Sequence, residues 1–335
     1  MGQDRAATHS RLTELWKHPE VRRLSITAKK YIILSDLHLG DKGKADDFRD
    51  NESALLRALA HYNDEGYLLI LLGDVEEFWQ FDLIAIEKAY GHTVYNAIRA
   101  FGPDRVIRLY GNHDSEWGAM VDPATGLEVH AAPEAVKLVD NSNRPRVLLV
   151  HGHQGSTESD KNGWMSRFFV RIYKVVEPLV KIDRHPSATK SQIADDYERI
   201  FHEWGKRNKV VVICGHSHRA IFASVSYAEK LLIEVRELQR EISGSSGDKK
   251  KIGKLLKELQ KKWSDYLEET ARGRRIEPTE VNPPSFGWYY NSGCCLYSDG
   301  LTGLELENGE IRLVKWHRKV KADERVTVLD KRPLL

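Results

Sequence analysis

Five short apolar runs punctuate the chain: Tyr31–Leu34, Tyr67–Leu72, Val106–Tyr110, Val147–Val150 and Val210–Ile213. Each reads as a strand apolar on both faces, as where helices cover both sides of a sheet. Between the first two, Phe48–Glu65 carries Leu55, Leu56 and Leu59 at helical spacing. Between the second and third, Ile84, Ile86, Val94, Ile98 and Phe101 also predict helix. Alternation of strand and helix implies an α/β layered fold.

Two stretches interrupt that alternation. The first, residues 155–207, is mostly helical in pattern. In it Trp164, Phe168, Phe169, Ile172, Val175, Val176 and Leu179 form an apolar stripe flanked by Arg167, Arg171, Lys174 and Lys181, and Pro178 works against its continuation. The stripe fits an amphipathic helix packed on the core. It also fits a lid with Arg167 and Arg171 on phosphates, or an interfacial membrane contact. The second interruption, residues 220–284, holds a stripe of Leu231, Leu232, Val235, Leu238 and Ile242. Another comes after a turn-forming Ser243–Asp248 link, made of Ile252, Leu255, Leu256, Leu259, Trp263 and Leu267. That predicts a helical hairpin, a structural element or a homodimer contact. Trp288–Tyr297 then reads as a strand and Leu301–Trp316 as a β-hairpin turning at Asn308-Gly309. The expected organisation is an extension over 1–30, a core over 31–218 and 285–320, the two helical insertions, and a tail over 321–335.

Composition narrows the class only a little. With 41% hydrophobic and 30% charged residues the chain is of globular type, and a net charge of +2 names no polyanionic partner. Met1–Lys30 is polar, and no apolar stretch reaches the ~20 residues of a membrane span. Cys214, Cys294 and Cys295, an odd count with two adjacent, make no disulfide framework. They fit small core residues in a reducing cytoplasm, with contact to the inner membrane face left open. The Lys249–Lys251 run fits a solvated turn or a contact with an anionic surface.

The chemistry lies in the residues just past the end of each apolar run. Tyr31–Leu34 leads into Ser35-Asp36-Leu37-His38, and Tyr67–Leu72 into Gly73-Asp74. Val106–Tyr110 leads into Gly111-Asn112-His113-Asp114, Val147–Val150 into His151-Gly152-His153, and Val210–Ile213 into Cys214-Gly215-His216-Ser217-His218. Ligands of open α/β sheets bind at the carboxyl ends of strands. Taken singly, each cluster has an ordinary reading, such as a turn or a helix cap. Five in order, each at a strand end, define a metal site. Asp, His and Asn donors suit Mn²⁺, Fe, Zn²⁺ or Co²⁺, with Mn²⁺ the first choice. Two ions ~3.5–4 Å apart need a bridging ligand, and Asp74, arriving straight after a strand and a glycine, is the natural one. His153 fits either a partner behind the ligands or a structural histidine.

The ordered set Asp-x-His, Gly-Asp, Gly-Asn-His-Asp, His-Gly-His and Gly-His-Ser-His resembles the calcineurin-like metallophosphoesterase superfamily. Asn291-Ser292-Gly293 is similar to that family's closing segment. The resemblance implies two packed β-sheets flanked by helices. It also implies one metal held by Asp36, His38 and His218, a second held by Asn112, His151 and His216, and Asp74 between them. His113 would stabilise the transferring phosphoryl group and protonate the leaving oxygen, with Glu77 in the place of the carboxylate that orients such a histidine. The physical logic agrees. Two cations acidify a shared water so that hydroxide exists near neutral pH and attacks phosphorus in line. A histidine that holds no metal can serve as general acid.

Phe78 stands where the superfamily's protein phosphatases carry a phosphate-clamping Arg, which argues against that role. Gly73–Trp79, and a helical insert before Gly215–Arg219, are similar to the UDP-2,3-diacylglucosamine hydrolases. His113 and His153 depart from them, standing where those enzymes carry Arg and usually Asp. The expected substrate is a small-molecule, nucleotide- or lipid-linked phosphoester or pyrophosphate, contacted by Asn112, His113, Arg167 and Arg171. The alternatives are a nuclease or other phosphodiesterase acting on nucleic acid or cyclic esters, and a non-catalytic scaffold. Retention of every ligand position and of His113 ranks the scaffold last.

Overall fold

The apolar runs are strands, and they divide between two sheets. The computed structural model describes residues 4–118, 132–155, 191–222, 225–244, 249–271, 287–319 and 326–334. The first half supplies α1 (Arg5–Lys17), β1 (Arg23–Ser25), β2 (Tyr31–Leu34), α2 (Glu52–Asp64), β3 (Leu68–Leu72), α3 (Leu83–Tyr90), α4 (Val94–Arg99), β4 (Val106–Leu109), β5 (Ala135–Val139) and β6 (Pro145–Val150). The second supplies α5 (Ser191–Asn208), β7 (Val211–Cys214), β8 (Ala220–Phe222), β9 (Val225–Ser226), α6 (Tyr227–Gly244), α7 (Lys249–Ala271), β10 (Tyr289–Ser292), β11 (Gly300–Glu307), β12 (Glu310–His317) and β13 (Val326–Pro333). One sheet has the order β13-β12-β11-β2-β3-β4 and the other β1-β5-β6-β7-β10-β8-β9. Within them β2, β3 and β4 are parallel neighbours, as are β6, β7 and β10.

Why the runs are apolar without alternation is visible in the layers. Tyr31, Ile33, Leu68, Ile70, Leu72, Ile107 and Leu109 face the other sheet, where Val136, Leu138, Val147, Leu149, Val211 and Ile213 meet them. The intervening Ile32, Leu34, Leu69 and Leu71 face outward onto Leu55, Leu59 and Tyr62 of α2 and Tyr95 and Ile98 of α4. On the far side Leu148, Val150, Val212 and Cys214 pack against Leu12 and Leu15 of α1 and Phe201 and Trp204 of α5. The result is a helix–sheet–sheet–helix sandwich. Each fully buried aliphatic side chain in it contributes ~1.5–3 kcal/mol. The expected two-sheet α/β fold is what forms.

Local chemistry sets the ends. Asp4 accepts from the backbone N–H groups of Ala6 and Ala7 to start α1, and Asp82 accepts from Ala85 at 2.8 Å to start α3. The β11–β12 hairpin turns at Asn308 (φ 52°) and Gly309 (φ 77°), the left-handed pair a two-residue turn requires.

Several details differ from the sequence pattern. Ile84 is 80% exposed, because Asp82 caps α3 in a register that buries Ile86 and Tyr90 instead. Helices α6 and α7 pack antiparallel, tied by Lys262–Glu234 at 2.6 Å and Lys251–Glu241 at 3.0 Å. Their apolar seam is narrower than the two stripes imply. Leu231, Val235 and Leu255 are buried, but Leu256, Trp263 and Leu267 are 49%, 43% and 50% exposed. Residues 326–333, in the stretch expected as a tail, pair with β12 as an edge strand. Residues 23–25, in the N-terminal stretch, pair with β5. The Trp164–Leu179 stripe, with Arg167 and Arg171, lies outside the described residues. Among those described, no helix is long and apolar enough to cross a membrane.

Candidate metal centre

The carboxyl ends of β2, β3 and β4 from one sheet, and of β6 and β7 from the other, deliver their loops to a common place. Asp36, His38 and His218 bring ligand atoms within 4.8 Å of one another, and so do Asp74, His151 and His216. The two groups adjoin. Asp74 Oδ2 lies 3.0 Å from His151 Nε2 and 3.8 Å from His38 Nε2. His218 Nε2 stands 3.2 Å from both Asp36 Oδ1 and His38 Nε2. Asp36, Asp74 and His151 are fully buried or nearly so, and His38 is buried too.

The backbone at these positions is strained for the purpose. Asp36, His38, Asp74, His216 and His218 have φ of 54°, 49°, 52°, 66° and 55°, five of the nine non-glycine residues with positive φ among those described. An L-residue in that region costs roughly 1–2 kcal/mol. Hydrogen bonds hold it: Asp36 N–H donates to Gly73 O at 3.1 Å, His38 N–H to Asp74 O at 3.0 Å, and His216 N–H to the Asp36 carboxylate at 2.9 Å. Packing is as tight. A Cβ on Gly111 would lie 2.1 Å from Asp74 Oδ1, so only glycine lets these two loops meet.

Does this donor set fit a cation? His151 Nδ1 donates to Leu72 O at 2.7 Å, which leaves the Nε2 lone pair turned to the Asp74 carboxylate without a hydrogen bond. Asn112 Oδ1 is likewise buried without a hydrogen-bond partner. His38 gives Nδ1 to Glu77 Oε2 at 2.7 Å, so its Nε2 also faces inward toward His218. Converging lone pairs and carboxylates at these distances repel unless positive charge sits among them. The donors fit divalent metal.

Without metal, protons fill that role. Burial opposes charge on His38 and His151, but the carboxylates around them prevail. Asp36, Glu77 and Asp74 raise His38, and Asp74 and Asp36 push His151 up to about 9. Asp36 and Asp74 are correspondingly held below the usual carboxylate range by the imidazoles, against their own burial. Metal needs the lone pairs those protons occupy, so loading at pH 7 is expected to release protons. Affinity therefore rises with pH through about 9, where His151 gives up its proton, and the raised His38 adds to the rise. Calorimetry of Mn²⁺ binding in buffers of differing ionisation enthalpy measures this, and a buffer-independent heat would refute it.

Beside the centre stands His113. Its Nδ1 is 2.8 Å from Glu77 Oε1, and its N–H donates to Asp74 Oδ1 at 2.9 Å. Burial raises Glu77, but His113 and His38 outweigh it and hold the group down at about 2, so its carboxylate only accepts. Glu77 thus takes an Nδ1–H from each of two imidazoles and fixes both tautomers. Glu77 stands beside His113 and bonds His38 as well. The additional methylene relative to Asp lets one carboxylate sit between the rings.

Asp114 and Tyr197 also touch the centre, and neither carried a separate sequence signal. Asp114 accepts the N–H groups of Gly111 at 2.6 Å, Asp74 at 3.1 Å and Val75 at 2.9 Å, locking the β3 and β4 loops together. It is the last residue of Gly-Asn-His-Asp, a motif that points to ligands rather than to such a tie. Tyr197 on α5 brings its hydroxyl to 3.3 Å of His216 Nε2. His153 is buried behind His151, with ring centroids 5.6 Å apart, and is pushed down to about 4 by burial and by the His151 charge.

The sequence model of the calcineurin-like phosphoesterases matches residues 29–220, more than half of the chain's 335 residues. The chain belongs to that family, whose members are metal-dependent phosphoester hydrolases. No curated protein matches it in sequence.

Proposed function

We propose that the protein hydrolyses a phosphoester or pyrophosphate bond at a dinuclear centre. Asp36, His38 and His218 would hold one divalent cation and Asn112, His151 and His216 the other, with Asp74 shared. The observation that carries this reading is the pair of three-ligand groups meeting at Asp74, with a Glu77-anchored histidine alongside. Bound there, Mn²⁺ or a similar ion supplies Lewis acidity that withdraws charge from phosphoryl oxygens and acidifies water. The chain's own residues do the rest. Asp74 fixes the backbone of His113, and Glu77 accepts a hydrogen bond from its Nδ1–H. Only Nε2 is then left to face the substrate. In its doubly protonated form the ring would use Nε2–H to stabilise the phosphoryl group and then pass that proton to the leaving oxygen, returning to the neutral imidazole with Nδ1–H still on Glu77.

For the substrate, a nucleotide-sugar or lipid-linked diphosphate fits best. The support is the likeness of Gly73–Trp79 to UDP-2,3-diacylglucosamine hydrolases. The test is to incubate metal-free protein with Mn²⁺ and four substrates: a phosphomonoester, a bis-phosphodiester, UDP-diacylglucosamine and single-stranded DNA. Release of UMP alone is the expected result. Inorganic phosphate alone would make it a monoesterase, and cleaved DNA a nuclease. No hydrolysis of any of the four with Mn²⁺, Fe²⁺, Zn²⁺ or Co²⁺ would overturn the catalytic reading.

A further inference from the structure

The loop that carries Glu77 continues into Trp79, and Trp79 lies flat on His113. The ring centroids are 3.8 Å apart and the planes differ by 24°. The same indole donates Nε1–H to the backbone carbonyl of Asn112 at 3.0 Å. One side chain therefore touches two consecutive residues of the β4 loop, one a candidate ligand and the other the candidate acid. Trp79 is half-buried and the His113 side chain is 20% exposed, so the stack sits at the mouth of the centre.

A hydrogen bond at Nδ1 fixes which nitrogen of an imidazole bears the proton. It fixes the plane of the ring less well, because the terminal torsion of a histidine is broad and a hydrogen bond tolerates tens of degrees of misalignment. Here Glu77 supplies the first constraint, and the indole face supplies the second. The indole is itself fixed by its bond to the loop it braces, so ring, ligand and platform move as a unit.

We propose that Trp79 is a positioning residue for the leaving-group acid: its stacked indole holds the His113 ring in the plane from which Nε2 reaches the departing oxygen. This rests on the hydrolase reading above. As the P–O bond breaks, its electron pair goes to the leaving oxygen and the Nε2 proton of the doubly protonated ring joins it there, leaving the neutral imidazole with Nδ1–H on Glu77. That transfer matters most when the leaving group is a poor one.

The test compares Trp79→Leu and Trp79→Phe with wild type on p-nitrophenyl and phenyl esters of phosphate and of uridine 5′-phosphate. Trp79→Leu is expected to lower kcat on the phenyl ester by about 10- to 100-fold and on the p-nitrophenyl ester by less than about threefold. KM and bound Mn²⁺ should hold, and Trp79→Phe, which keeps a ring face, should recover most of the loss. A merely structural role would depress both esters alike, and that result, or wild-type rates in Trp79→Leu, overturns the proposal. A second readout needs no turnover. In protein with ¹³C-labelled histidine, the His113 Cε1–H signal, assigned by its disappearance in His113→Gln, should move downfield in Trp79→Leu as the indole ring current is lost. An unmoved signal also overturns the proposal. A wild type that cleaves none of the esters while the signal does move would count against the hydrolase reading rather than the stack.

Discussion

Asp74→Asn is expected to lower turnover by at least about 10³-fold and to leave the protein unable to retain its metal. The carboxylate faces both ligand groups, 3.0 Å from His151 Nε2 and 3.8 Å from His38 Nε2. An asparagine matches its shape and still accepts the His113 N–H, which Asp74 Oδ1 now accepts at 2.9 Å. What it lacks is the negative charge that keeps two cations from repelling each other, and its amide presents N–H groups where lone pairs are wanted. Elemental analysis after dialysis reads the metal directly. Thermal melting gives a second measure, since a ligand that binds only the folded state raises Tm. Wild type should gain stability on adding Mn²⁺ and Asp74→Asn should not. A variant that keeps both its metal and its kcat would remove Asp74 from the centre.

The candidate ligands stood out because each lies within four residues of the end of a largely buried strand. Such strands leave a continuous apolar run that no helix-period pattern interrupts, and the polar residue ending the run is conspicuous. Val147–Val150 into His151 and Val210–Ile213 into Cys214-Gly215-His216 are of this kind. The assignment of runs to sheets was not legible. Sheet order depends on pairings such as β11 with β2, which join residues far apart in sequence and leave no local trace. Edge strands were missed for a related reason. β13 buries little, with Val326 and Val328 37% and 49% exposed, so no apolar pattern announces it. In β5, Lys137 interrupts the apolar run, yet it is buried with its ammonium on His18 O at 2.8 Å.

The residues that brace the ligands were harder still to read. Asp114 ties backbone groups of Gly111, Asp74 and Val75, and the Trp79 indole is anchored on the backbone carbonyl of Asn112. A backbone partner has no residue identity to read. The strained φ angles at Asp36, His38, Asp74, His216 and His218 are equally silent in sequence. Together these contacts explain how one edge of a sandwich becomes a rigid centre. The loops after β3 and β4 are joined by Asp114, by the Phe78 N–H to His113 O at 3.2 Å, by Glu77 and by Trp79. Geometry imposed by so many ties tolerates local strain.

His113→Ala should separate catalysis from metal binding. The variant is expected to lose about 10²- to 10⁴-fold in kcat, the range for a positioned general acid, with its metal content unchanged. Its side chain contacts Glu77, the face of Trp79 and, edge to face at 4.6 Å between centroids, the His38 ring, while its one link to a candidate ligand carboxylate, the backbone N–H to Asp74 Oδ1, survives the change. Glu77→Gln is the informative partner. Its carboxylate serves His113 at 2.8 Å and His38 at 2.7 Å, so the amide must fail one imidazole even where it satisfies the other. That change should lower kcat and also weaken Mn²⁺ affinity by about 10- to 100-fold, the usual cost of removing a carboxylate behind a ligating histidine. Kinetics paired with metal titration distinguishes them: His113→Ala moves kcat alone, while Glu77→Gln moves both. Equal metal loss in the two variants would mean that His113 is a ligand rather than the acid, and the division of roles between the β3 and β4 loops would fall with it.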